Sequence, residues 1–365
     1  MPDWTKPMSQ TYEYYTVDPH TLADVKRLTN ITNASFTYDS GADTLGSARI
    51  DGTETMNESY VRAYLKTIQN GITEKHAIGT MLVQAPSMAY NGMSKTITMD
   101  CYTPLIELKE KRPPLGYTVR QGTRIMDAAY DIVSRNTRVP VNKVEPIITK
   151  DANGDEIDQS PTLENNFVAN VDETWLDFVI ALIKNANYEL NLTEKGHILF
   201  SPVQPIESLQ PVWTYNDDDK SILYKDITMN YHIYDVPNVV EVMYSYGNDF
   251  KHAIVKNEDP NSPVSIVNRG REIPYRDTNA SLVGYATREQ IEDYAKRLLK
   301  SLSTIEYHIS YTHAYCPVRV GDCVRINYTR AGIQNVKAKV ISQTIDCEPG
   351  CPVSETAVFT SKLWG

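Results

Sequence analysis

Apolar side chains at every second position recur along this chain, and that pattern constrains its fold more than any other feature. Ile305, Tyr307, Ile309, Tyr311 and His313 follow it, as do Val240, Val242, Tyr244 and Tyr246. Val336, Ala338 and Val340 alternate with Lys337 and Lys339, and Thr96 to Cys101 alternates in the same way. Successive side chains of a strand point to opposite faces, so each run predicts a strand with one dry face and one wet face. Asn70-Gly71 and Asn91-Gly92 are hairpin dipeptides, because both turn positions must accept a positive φ. Aromatic usage agrees: 24 Tyr against 6 Phe and 4 Trp suits half-wet sheets and interfaces more than a dry core.

The helical periodicities are few. Thr287-Arg288-Glu289-Gln290 is a capping box, and Ile291, Tyr294, Ala295, Leu298, Leu299 and Leu302 form one apolar stripe opposite Glu292, Asp293, Lys296 and Lys300. This predicts a helix over 287–303, with Leu298 on its buried face, covering an open face or end of a β-barrel. Two further helical patterns run from about Thr123 to Asn136 and from about Asp172 to Ala186. The second leads into a hairpin made of Tyr188 to Leu192 and His197 to Phe200, an αββ unit. The fold class is therefore mainly β with α. It divides into a first β-barrel domain (1–112), a mixed α/β middle region (113–225) and a second β-barrel domain with the inserted helix (226–365). The charged run Glu107 to Arg112 and the pair Pro113-Pro114 close the first domain.

The 36 Lys and Arg against 46 Asp and Glu leave a net charge of −10, which argues against binding nucleic acid or membrane through a basic face. The best apolar run, Phe178 to Ile183, is about a third of the roughly 18–20 residues that a membrane span needs. The start, Met1-Pro2-Asp3-Trp4-Thr5-Lys6-Pro7, has neither the basic region nor the apolar stretch of a signal peptide, so synthesis in a cytoplasm is expected.

Spacings that support chemistry are scarce. There is no nucleophile elbow, zinc-protease helix, phosphate loop or dinucleotide fingerprint. His308 and His313 are five apart on a strand and face opposite sides. Asp217-Asp218-Asp219 reads as a solvated turn, and Asp151 to Asp155 reads as a hairpin tip: Glu156 and Thr162 stand where a calcium loop needs Gly and Glu. Cys101 lies in an alternating strand and reads as core. Cys316, Cys323, Cys347 and Cys351 bracket two turns. They read either as half-buried free thiols or, if the turns meet, as a structural zinc site. Trp4 with Tyr12, Tyr14 and Tyr15 reads either as a sugar-stacking surface or as a strand packing on a neighbouring subunit. No catalytic, cofactor-binding or metal residue is assigned, and no cofactor is expected.

The order of a β domain, an αββ middle and a second β domain with an inserted helix resembles the baseplate hub proteins of phage tails and contractile injection machines, including the late-control protein D family. The resemblance is carried by Glu173 to Phe178 leading into Tyr188 and the Gly196 to Phe200 strand, and by the helix Arg288 to Leu302 leading into Tyr307. Val318-Arg319-Val320-Gly321-Asp322-Cys323-Val324 adds to it, being similar to the Pro-Gly-Asp-x-Val turn of that family's second barrel, with Val320 where Pro is common.

The resemblance implies two tube-like β-barrels per chain and a homotrimer whose six barrels form a ring between a six-fold tail tube and a three-fold spike or tip. It also implies a location in the virion tail and partners among the tail tube or distal tail ring, the spike or tip protein and the tape-measure protein. An acidic lumen would let phage DNA pass without holding it. With a strand pattern running to Trp364, no appended cell-wall-cutting domain is expected in this chain. A receptor- or glycan-binding tail-tip module is the alternative function, and a hydrolase with dispersed carboxylates is a third.

Overall fold

The computed structural model describes residues 2–364, except 151–155, 232, 247–248 and 279–285. The chain is mainly β with α, as the alternation requires. The amino-terminal strands are β1 (Ser9–Val17), β2 (Asp24–Leu28), β3 (Ile31–Asp39), β4 (Gly46–Gly52), β5 (Tyr60–Gln69), β6 (Ile72–Tyr90) and β7 (Lys95–Tyr102), followed by the one-turn helix α1 (Ile106–Lys109). Asn70 and Gly71 adopt φ of 51° and 79° between β5 and β6, the positive pair that this hairpin needs.

The middle region holds the strand β8 (Thr118–Val119), the helix α2 (Ile125–Asn136), β9 (Ile148–Lys150), β10 (Glu156–Asp158), β11 (Phe167–Val168), the helix α3 (Trp175–Lys184), β12 (Tyr188–Leu192) and β13 (Ile198–Pro202). Helix α3 starts at a capping box in which Thr174 and Asp177 exchange hydrogen bonds. It buries Trp175, Leu176, Phe178, Val179, Leu182 and Ile183 in a core shared with α2 and the β12–β13 hairpin. β9 and β10 pair as the arms of a hairpin, while the tip expected at 151–155 lies outside the described residues.

The carboxyl-terminal strands are β14 (Pro211–Asn216), β15 (Leu223–Tyr231), β16 (Val239–Tyr246), β17 (Asp249–Lys256), β18 (Pro274–Asp277), β19 (Thr304–Ala314), β20 (Cys323–Tyr328), β21 (Ile333–Asp346) and β22 (Pro352–Lys362). The short helix α4 (Ile266–Arg269) precedes β18, and α5 (Arg288–Leu302) precedes β19. One continuous sheet runs in the order β15-β19-β22-β21-β3-β4-β7-β6-β5-β1-β2, with β20 beside β21 and β14 parallel to β20. The two β-rich parts are thus hydrogen-bonded to each other through β21 and β3, and a single apolar core runs beneath both.

Helix α5 begins at the expected capping box, but it lies on a separate sheet, β17-β16-β18, rather than on an open face of the large one. Val240, Val242, Tyr244 and Ala253 supply the face that receives Ile291, Ala295 and Leu299. Leu298 is only partly buried whereas Leu299 is fully enclosed, because the stripe is centred one residue later than its spacing suggested. Leu299→Ala is expected to destabilise this sheet-and-helix unit by about 2–5 kcal/mol. Leu298→Ala should cost clearly less, and equal costs in urea denaturation would place the centre of the stripe elsewhere.

Candidate functional site: the seam and its buried polar row

β21 is long enough to serve two neighbours on one side. Its first half pairs β20, and its last residues, Ser342 to Asp346, pair Asp39 to Ser35 of β3, while its other side holds β22. Side chains reinforce the β21–β3 seam. Ser35 Oγ donates to Asp346 Oδ1 at 2.6 Å, and the Thr37 and Thr344 hydroxyls meet at 3.2 Å. The backbone continues the seam, with Cys347 N–H donating to Ala34 O at 2.8 Å. Tyr12 ties in the next layer, its hydroxyl donating to Glu348 O at 2.7 Å.

Register then places a row of polar residues across four strands. Tyr311 of β19 stands opposite Glu355 of β22, Glu355 opposite Gln343 of β21, and Gln343 opposite Tyr38 of β3. Glu355 is the centre of the row. Its Oε2 accepts from the hydroxyls of Tyr311 at 2.9 Å and Tyr215 at 3.2 Å, and its Oε1 accepts from Gln343 Nε2 at 2.6 Å. Gln343 also donates to Val318 O at 2.9 Å, which fixes the turn before β20. At the far end of the row, Tyr38 donates to Ile78 O at 2.9 Å over Gly79, where a Cβ would fall 1.9 Å from the Tyr38 oxygen. Any larger residue there would have to displace the Tyr38 ring.

His313 completes the cluster. Its Nδ1 donates to Ala314 O at 2.7 Å, and its Nε2 lies 3.2 Å from Glu355 Oε1 and 3.1 Å from the Tyr215 hydroxyl, an arrangement that suits the doubly protonated, cationic imidazole. Burial opposes that charge, but the adjacent Glu355 carboxylate outweighs it and pushes the His313 pKa up to about 10. Glu355 is likewise disfavoured by burial, and His313 holds its pKa below the ordinary carboxylate value. Both side chains are fully enclosed. Through Tyr311, Tyr215 and Gln343 the pair links β19, β22, β21 and β14.

A second sealed charge fastens the middle region. Arg62 of β5 is 2% exposed and donates from Nη1 to Asp24 Oδ1 and to Leu22 O, both at 2.9 Å. Its Nε reaches Thr80 Oγ1 at 2.8 Å and its Nη2 reaches Lys195 O at 2.7 Å, while Thr80 donates to Glu194 O at 2.9 Å. The tip of the β12–β13 hairpin is thereby pinned to the first sheet.

The residues singled out in the sequence fall as follows. Cys316 lies beside Tyr215 and His313, Cys347 and Cys351 lie together near Tyr12 and Tyr14, and Cys323 sits apart at the start of β20. All five cysteines are buried free thiols. Burial pushes the Cys101 and Cys351 pKa values up to about 12, which keeps them protonated. No cluster of three or more His, Cys, Asp or Glu side chains among the described residues is placed to hold a metal ion. Trp4 and Tyr14 are buried in the chain's own core, Trp4 edge-on to His76 and Tyr315, so neither presents a stacking face, while Tyr12 and Tyr15 are half-buried. Asp217 caps the turn after β20 by accepting from Thr329, the turn role expected of the Asp217 to Asp219 run. Among the described residues no helix is long and apolar enough to cross a membrane. The sequence reading missed Glu355, Gln343, Tyr215 and Arg62. Glu355 alone left a local signal, standing at an inward position between Val353 and Ala357.

No protein-family model and no curated protein matches this chain. Solved structures do. The tail protein from Neisseria meningitidis MC58 superposes with a TM-score of 0.60 at 12% identity, over 96% of both chains. The 43 kDa tail protein of prophage MuSo2 from Shewanella oneidensis gives the same score and identity over 96% of this chain and 98% of that one. A chain of the Francisella PdpA-VgrG complex gives 0.54 at 9% identity; 97% of this chain is covered, but only 58% of that one. The chain therefore has the fold of these phage tail proteins and of a chain of the PdpA-VgrG complex, and the resemblance to baseplate hub proteins holds at the level of fold.

Proposed function

We propose that this chain is a structural subunit of a phage tail or phage-tail-like particle, the hub that joins the tail tube to a spike or tip, and that it performs no catalysis. The observation that carries this reading is the end-to-end likeness to whole tail proteins, 96% of this chain against 96–98% of theirs. The division into two tube-like halves, 1–112 and 226–365, about a middle region, 113–225, belongs to the same proposal. So do a position in the virion tail and contacts with tube, spike or tip, and tape-measure proteins.

The sheet order supports a ring. Among the described residues three strands of the large sheet are paired on one side only, β15 and β2 at the ends of its path and β14 at the end of its branch, and an exposed edge needs a partner strand or a cover. Val25 on β2 is 69% exposed, and Tyr224 and Met229 on β15 are also exposed. Edge-to-edge pairing between copies would repeat between chains what β21 and β3 do within one, and a closed homotrimer that paired β15 with the next copy's β2 would leave neither end of the path free. The expected mass of that trimer is three times 41.3 kDa, about 124 kDa, by native mass spectrometry. A species that stays at the mass of one chain, alone and after addition of tail tube protein, would sink this reading.

A further inference from the structure

Beside the seam a cleft of about 930 Å³ opens between the first sheet, the αββ unit and the turn before β20. Every residue of β12 lines it. Among the described residues β12 pairs with β13 alone. At the two ends of this hairpin Thr193 N–H donates to His197 O at 3.0 Å and Val203 N–H donates to Asn187 O at 2.9 Å. The odd-numbered residues 187–193 therefore carry the bonds to β13. In an antiparallel ladder the N–H and C=O groups of the intervening Tyr188, Leu190 and Leu192 then point to the other side. That side is an unpaired strand edge, and among the described residues no strand occupies it. A row of unpaired backbone donors and acceptors is a template for an added strand.

The charge of the cleft is opposite to that of the chain. The chain carries −10, whereas the cleft is lined by five Lys and Arg against three Asp and Glu. Two of those cations are paired within it, Arg319 with Glu194 and Lys339 with Glu189, the latter at 3.4 Å. The third acid, Asp43, is held by Lys109 at 2.6 Å. Lys184, at the end of α3, and Lys195, at the hairpin tip, flank β12 and have no acidic partner among the described ion pairs. The walls between them are apolar, with Ile78, Ile183, Tyr315 and Val320.

We propose that β12 takes an extended acidic segment of a partner protein as an added strand in this cleft, with Lys184 and Lys195 receiving its carboxylates. Five residues of strand span about 17 Å at about 3.3 Å per residue, so a short segment suffices. The assignment goes beyond the hub role and does not depend on it.

The test uses the full chain and a labelled heptapeptide alternating Glu and Val, with a Lys and Val peptide as control. Two versions of the acidic peptide, N-methylated along one edge or the other, read strand addition directly, because methylation removes the donors on that edge only. The acidic peptide is expected to bind in a salt-sensitive manner and to slow amide exchange at 188–192. One N-methylated version should lose binding and the other retain it. The double variant Lys184→Glu, Lys195→Glu should weaken binding about tenfold or more with its melting transition unchanged. The proposal fails if the basic peptide binds equally well, if both methylated versions bind like the parent, or if protection appears away from β12. Protection that grows with protein concentration in the absence of peptide would also overturn it, by assigning the edge to a second copy. The N-methylated peptides decide the matter even if the double variant does not fold.

Discussion

Replacing Glu355 with glutamine is expected to lower the unfolding free energy by about 3–5 kcal/mol, because it leaves the enclosed His313 without its counter-charge. The sign of the pH dependence should change with it. In the native chain His313 has a folded pKa of about 10 against an ordinary 6.5, so its contribution is complete below pH 6.5 and is lost as the pH rises through 10. Glu355 has a folded pKa below its ordinary 4.5, so its contribution is present above that pH and fades as the pH falls through the folded value. Between those limits the pair is intact.

In Glu355→Gln the burial of His313 is no longer offset, and its pKa falls below 6.5. The unfolded chain then binds the extra proton, and stability rises with pH where the native protein shows no such rise. Urea denaturation at pH 5.5, 7.5 and 9.5 separates the two cases. A variant that loses less than about 0.5 kcal/mol, the range of ordinary surface changes, or that keeps the native pH profile, would mean that His313 is not held as a cation.

The origin of this cluster explains what a sequence reading reaches and what it misses. The alternation of Ile305 to His313 put His313 on the same face as Ile309 and Tyr311, and that face is buried. Its partner is 42 residues away on β22, and the contact exists only because the β19–β22 register places Tyr311 opposite Glu355. Local pattern reports which way a side chain points, whereas register reports what it meets, and register is set by the whole sheet.

The helices show the same division. The capping boxes at Thr174 and Thr287 and the apolar stripes behind them are local, and the helices start where those boxes stand. The surface that α5 covers is not local. It lies on β16 and β17, which form their own sheet, and nothing in the stripe from Ile291 to Leu302 distinguishes that sheet from the large one. The charged run from Glu107 to Arg112 is a further instance. Glu107 is buried and accepts from Tyr60 at 2.8 Å and from Arg138 Nε at 2.5 Å, a partnership that no neighbouring residue announces.

Arg62 allows the sharpest separation between a local joint and the global fold. It looks like an ordinary strand residue in the sequence, between Val61 and Ala63, yet it is enclosed and spends its donors on Leu22 O, Lys195 O, Thr80 and Asp24. Arg62→Met conserves much of the volume and removes every donor. Each carbonyl left unmet in the interior costs about 1–3 kcal/mol, so a loss of about 3 kcal/mol or more is expected. Asp24 is 33% exposed and can recover water, which keeps the loss from being larger. Arg62→Lys should rescue little, since one ammonium cannot reproduce the fork that meets these acceptors in three directions. The decisive readout is regional. Amide exchange at 193–197 should quicken as the hairpin tip leaves the first sheet, while the row through Glu355 keeps its protection, because the apolar core beneath the large sheet does not pass through the joint. Uniform loss of protection across both regions would instead mean that the middle region and the large sheet unfold as one unit, and that Arg62 holds the whole molecule together rather than this joint alone.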